Sequence, residues 1–60
     1  MEHTPTILIV DDDRDIRELL AGYLQKNGLQ TQVAADGRAM WIVLAAQPID
    51  LVVLDVMLPQ

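Results

Sequence analysis

Uninterrupted apolar runs and helical stripes alternate along this chain. Ile7-Leu8-Ile9-Val10 is continuous and rich in β-branched residues. An apolar run of that length without alternation suits a strand covered on both faces, as in a parallel sheet. Three aspartates, Asp11, Asp12 and Asp13, stop it. Ile16, Leu19, Leu20, Tyr23 and Leu24 then recur at helical spacing, which predicts a helix over 14–27 and assigns Tyr23 to the core. Asp13 or Asp15 can cap its start, and Asp15 with Glu18 has the spacing of a capping box. Lys26-Asn27-Gly28 closes it, with a cation in the last turn and a glycine suited to a left-handed position. The segment 29–34 alternates weakly and predicts an edge strand. Asp36-Gly37 is a turn, and 38–47 is a second helix ended by Pro48. Trp41 and Ile42 leave that helix apolar on nearly every side. Leu51-Val52-Val53-Leu54 has the pattern of a second doubly covered strand, and Asp55 follows it.

Strand, helix, strand, helix, strand is the order of an α/β fold with a parallel sheet and right-handed crossovers. Ligands of such sheets bind outside the carboxyl ends of the strands. Asp11 and Asp12 follow the first strand and Asp55 the third, so neighbouring strands would bring three carboxylates to one rim. Carboxylates this close stay ionised together only beside a cation or beside Lys and Arg side chains. A hard divalent ion such as Mg²⁺ takes oxygen ligands and often bridges carboxylates to phosphate. The chemistry suggested is metal-assisted handling of a phosphoryl group, with one carboxylate as nucleophile. The plainer reading makes aspartates after strands turn formers and helix caps. Asp13, Asp15, Asp36 and Asp50 are assigned that role; for Asp11, Asp12 and Asp55 spacing leaves both readings open.

Composition narrows the field. Hydrophobic residues make up 52% of the 60 positions, too many for a disordered acidic tail. A net charge of -5 argues against direct binding of nucleic acid by these residues. With no cysteine, neither a disulfide nor a thiolate metal site can reinforce a core that is marginal at this size. The polar start, which includes His3, lacks the features of a secretory signal, and His3 is given no specific role. No apolar run approaches the roughly 20 residues that span a bilayer. The expectation is a cytoplasmic protein without a membrane partner.

The wording around the acids adds a resemblance. Ile-Leu-Ile-Val-Asp-Asp-Asp, Ile16-Arg17-Glu18-Leu19-Leu20, Ala35-Asp36-Gly37 and Asp50-Leu51-Val52-Val53-Leu54-Asp55-Val56-Met57-Leu58-Pro59 closely resemble the receiver domain of bacterial two-component response regulators. The wording looks most like receivers that precede a winged-helix DNA-binding domain. The resemblance implies a flavodoxin-like (CheY-like) βαβαβ unit, truncated to the N-terminal half of a receiver over 1–60. Its parallel sheet would have the order 2-1-3, with one helix on each face. It implies that Asp55 is the phosphoacceptor, taking a phosphoryl group from a histidine kinase. Asp12 would be a direct Mg²⁺ ligand, Asp11 a water-mediated one, and Met57 would offer its backbone carbonyl. Pro59 would shape the following loop.

Receivers also use a Ser or Thr on a fourth strand and a Lys on a fifth, and no residue here stands in for either. The chain has no serine and a single lysine, Lys26. The expectation is therefore a signalling module, not an enzyme, with at most weak phosphotransfer. An alternative of a different class is a non-signalling half-fold that forms homo-oligomers. Leu51, Val52, Val53 and Leu54 would pair between copies, beside Trp41 and Ile42. A hydrolase with an aspartate nucleophile usually needs a second acid where Met57 stands.

Overall fold

The computed structural model describes residues 3–54, ordered as β1 (Thr6–Val10), α1 (Arg14–Lys26), β2 (Gln30–Ala34), α2 (Gly37–Ala46) and β3 (Leu51–Leu54). Each element lies within one residue of the expected bounds. The strands form a parallel sheet in the order β2-β1-β3. β1 is therefore central, with Val10 in register with Ala34 on one side and Leu54 on the other.

The core is β1 itself. Leu8, Ile9 and Val10 are fully buried, which explains why the run carries no polar residue. Leu8 and Val10 point to the face covered by Ala39, Met40, Val43 and Leu44 of α2, and Ala34 joins them. Ile7 and Ile9 are buried on the opposite face, where α1 crosses β1 and β2. Right-handed crossovers on either side of a central strand place the two helices on opposite faces. Burying one such side chain contributes roughly 1.5–3 kcal/mol, so three on one strand dominate a sheet this small.

The helix ends follow from local chemistry. Asp13 is the N-cap of α1, its carboxylate accepting from the Asp15 and Ile16 amides at 2.9 and 3.3 Å. The capping box is not formed: Glu18 instead accepts from Arg14 Nε at 3.0 Å along the exposed surface. At the other end, Gly28 has φ +83°, and its amide donates to Gln25 O while Leu29 N donates to Leu24 O. Those two bonds are the Schellman pattern, which glycine enters without a Cβ clash. Asp36 caps α2 by accepting from Ala39 N.

One expectation changes. The half-buried residues of α1 are Arg17, Leu20, Ala21 and Leu24, so its sheet face is rotated by about one position from the apolar stripe. Tyr23 is consequently 64% exposed and not core, beside exposed Leu19 and Ile16. The sheet face carries an arginine, which an apolar count does not register, and an alanine too small to mark a stripe. β3 has the composition of a covered strand, but the order 2-1-3 leaves it at an edge, as its expected pairing between copies requires, and its four residues are 36–57% exposed. Both helices pack on β1 and β2, and β3 adjoins only β1.

Candidate functional site

Parallel strands deliver their carboxyl ends to one rim, and the acidic loop begins where β1 leaves the sheet. Asp11 is only 6% exposed. Three bonds fix it. Its amide donates to Ala34 O at 3.1 Å, extending the pairing of β1 with β2 by one residue. Its carboxylate Oδ1 accepts from Asp13 N at 2.9 Å, which turns the chain toward α1. Its carbonyl oxygen accepts from Arg17 Nη1 at 2.8 Å. Among the described residues, no protein donor meets Asp11 Oδ2, and Asp12 is exposed with no hydrogen bond to its carboxylate.

The rim is therefore a turn with one carboxylate held and another presented to solvent. Oxygen donors of this kind suit a hard divalent cation. Among the described residues no group of three acidic or histidine side chains is assembled for a metal. Asp55, Met57 and Pro59 lie outside the described residues. Leu54, which immediately precedes Asp55 in sequence, is in register with Val10, which immediately precedes Asp11.

The aspartates assigned to structure divide as the sequence suggested. Asp13 and Asp36 are caps. Asp50 engages both backbone groups of Thr6: its amide donates to Thr6 O at 2.9 Å, and its carboxylate accepts from Thr6 N at 2.8 Å. His3 Nε2 lies 3.0 Å from the same carboxylate. The Thr6 amide, and then His3, hold the Asp50 carboxyl below its ordinary value of 3.8. The rim opposite the acidic loop is thus fastened through Asp50, and His3 has a partner that its place in a polar terminus did not reveal. Spacing could not have found it, because the two residues lie 47 positions apart.

Arg17 is the other residue that pattern reading passed over. An arginine between apolar positions reads as a solvated charge, but its side chain reaches back to the loop. An open hollow of about 320 Å³ lined by Glu18, Leu19, Gly22, Tyr23 and Lys26 lies on the outer side of α1 and does not include the acidic rim. Trp41 and Ile42 are exposed, at 67% and 64%. No helix among the described residues is long and apolar enough to cross a membrane.

Comparison with known proteins agrees with this architecture. The family model for the response regulator receiver domain matches residues 7–60. The chain is 51% identical over 53 residues to the transcriptional regulatory protein YxdJ of Bacillus subtilis, covering 88% of this chain and 23% of that protein. It is 48% identical over 54 residues to the response regulator MprA of Mycolicibacterium vanbaalenii, covering 90% of this chain and 23% of that one. It is 44% identical over 54 residues to the transcriptional regulatory protein GltR of Pseudomonas aeruginosa, covering 90% and 22%. The chain thus spans about a quarter of the length of these relatives. No solved structure matches it significantly. A three-stranded parallel sheet in the order 2-1-3, an acidic turn at the carboxyl end of its central strand, and a family match over nearly the whole sequence lead to one conclusion: the chain belongs to the receiver domain family of two-component response regulators.

Proposed function

We propose that this chain is the phosphoacceptor portion of a cytoplasmic response regulator, and that Asp55 takes a phosphoryl group from the phosphohistidine of a histidine kinase. The carrying observation is the parallel register of β3 with β1, Leu54 opposite Val10, which leads both strands toward the rim where Asp11 and Asp12 sit. In this reading an Asp55 carboxylate oxygen forms a bond to phosphorus as the phosphorus–nitrogen bond of the donor breaks, giving an acyl phosphate. Asp12, Asp11, Asp55 and the Met57 carbonyl would hold Mg²⁺ in this reading, Asp12 as a direct ligand and Asp11 through water. The ion supplies charge neutralisation for the phosphoryl oxygens. Asp11 Oδ2 and Asp12 have no protein donor among the described residues, which fits that assignment. Pro59 shapes the loop that follows. The chain acts as a signalling module and makes no direct contact with nucleic acid.

The test is incubation with a small acyl phosphate and Mg²⁺, read by intact-mass and peptide mass spectrometry. A single phosphoryl adduct is expected on Asp55, absent from the Asp55→Asn variant and lost when Mg²⁺ is chelated. Labelling of another residue, or labelling indifferent to chelation, contradicts the assignment.

A second reading is favoured by the exposure of all four β3 residues: copies of this chain self-associate through that edge. Its unpaired backbone groups and uncharged side chains have none of the usual edge protections, and exposed Trp41 and Ile42 add apolar surface beside the sheet.

A further inference from the structure

Arg17 lies on the half-buried face of α1, one turn from its start, and its guanidinium bonds to the acidic loop. Five carboxylates lie within six positions in sequence, on Asp11, Asp12, Asp13, Asp15 and Glu18, yet among the described residues Arg17 forms no ion pair with any of them. Among the described residues the ion pairs are His3–Asp50 and Arg14–Glu18. Arg17 Nη1 instead donates to the neutral carbonyl oxygen of Asp11 at 2.8 Å. A guanidinium beside several acids would ordinarily be drawn into a two-pronged carboxylate bond. Here Asp13 is already committed as the N-cap of α1, and Asp11 Oδ1 to the Asp13 amide.

We infer that Arg17 is a positioning residue of the cation site: it locks the Asp11 main chain onto α1 while leaving the Asp11 and Asp12 carboxylates free for a divalent ion. The inference rests on the reading of Asp11 and Asp12 as Mg²⁺ ligands. Asp11 is then held at three points, by Ala34 O at its amide, by Asp13 N at its side chain and by Arg17 at its carbonyl. The first two tie it to β2 and to its own turn. The third runs to a side chain within the helix, so Arg17 adds a direct tie between the Asp11 main chain and the first turn of α1, beside the Asp13 cap. Partners that orient a metal's ligands commonly change affinity by about 10–100-fold when removed.

Electrostatics gives a contrary expectation, which makes the inference testable. A fixed positive charge near a cation site repels the ion, so a purely electrostatic Arg17 would weaken Mg²⁺ binding and its removal would tighten it. The experiment is a Mg²⁺ titration of the 60-residue chain and its Arg17→Met and Arg17→Lys variants. Backbone amide shifts of Asp11 and Asp12 are followed, with the Ile9 and Ala34 amides reporting that the sheet persists. Arg17→Met is expected to weaken Mg²⁺ binding about tenfold or more. Arg17→Lys, which keeps the charge but not the fork, should fall between it and the parent chain. Equal or tighter binding by Arg17→Met overturns the inference; if that variant fails to fold, parent-like binding by Arg17→Lys does so. ¹⁵N relaxation without metal separates the two levels. Asp12 and Asp13 should become more mobile in the variants, and unchanged mobility overturns the positioning role even if the parent chain binds no Mg²⁺. Absence of binding by the parent would itself refute the ligand assignment.

Discussion

Asp50 shows how one carboxylate can serve structure, at the rim opposite the acidic loop. It occupies the N–H and the carbonyl of Thr6 together, so β3 begins in register with β1, and it also receives His3. Its carboxyl is held below the ordinary value, first by the Thr6 amide and then by His3. A depressed carboxyl contributes stability that is present above the ordinary titration range and lost as pH falls through the lowered folded value. The thermal midpoint of the chain should therefore drop more steeply below about pH 4 than that of Asp50→Asn. Parallel pH profiles for the two proteins would show that the contacts of Asp50 do not couple to folding. Acid melts followed by circular dichroism make the comparison.

At the scale of elements, the three strands differ in how they meet their surroundings. β1 is apolar from Ile7 to Val10 because both helices and both neighbouring strands close over it. β2 carries Gln30, Thr31 and Gln32 and tolerates its edge position. β3 carries only Leu51, Val52, Val53 and Leu54 and has an edge that remains exposed. A lysine at an edge strand opposes strand addition by another chain. If copies associate through β3, sedimentation at high micromolar concentration should show dimers or larger species for the parent chain and monomers for Val53→Lys. A monomeric parent chain at that concentration removes the self-association reading.

The elements themselves were legible because apolar runs, capping aspartates and Gly28 each act locally. Strand type, helix bounds and the turn after β1 follow from neighbours in sequence. The rotation of α1 did not, since Arg17 on its sheet face lies outside any apolar count and Ala21 is too small to mark a stripe, while Leu19 and Tyr23 are large and apolar yet face outward. The acids of the candidate site were visible as residues, and the family wording supplies the roles proposed for them. The bond that fixes their loop was not. It joins Arg17 to a main-chain oxygen, and main-chain oxygens carry no sequence signature.

For the whole molecule, parallel topology turns separated stretches of sequence into a single rim. The order β2-β1-β3 places the acidic turn at the carboxyl end of the central strand, and the register of β3 directs the chain toward it. A net charge of -5 and exposed Asp12 favour a cation there over an anion. Membership of the receiver family gives that rim a chemical meaning, because an ionised acceptor carboxylate can approach a phosphoryl group only if charge is neutralised between them. In the proposed reading, receipt of phosphate and binding of Mg²⁺ are two consequences of one arrangement, and binding is the simpler to isolate. The most direct measurement is an NMR titration of the chain with Mg²⁺, following the amides of Asp11, Asp12 and Asp55. The account predicts saturable shifts at all three with a common dissociation constant, abolished by Asp12→Asn. Absence of any response, or shifts scattered over Asp15, Glu18 and Asp36 without saturation, would contradict a shared cation site.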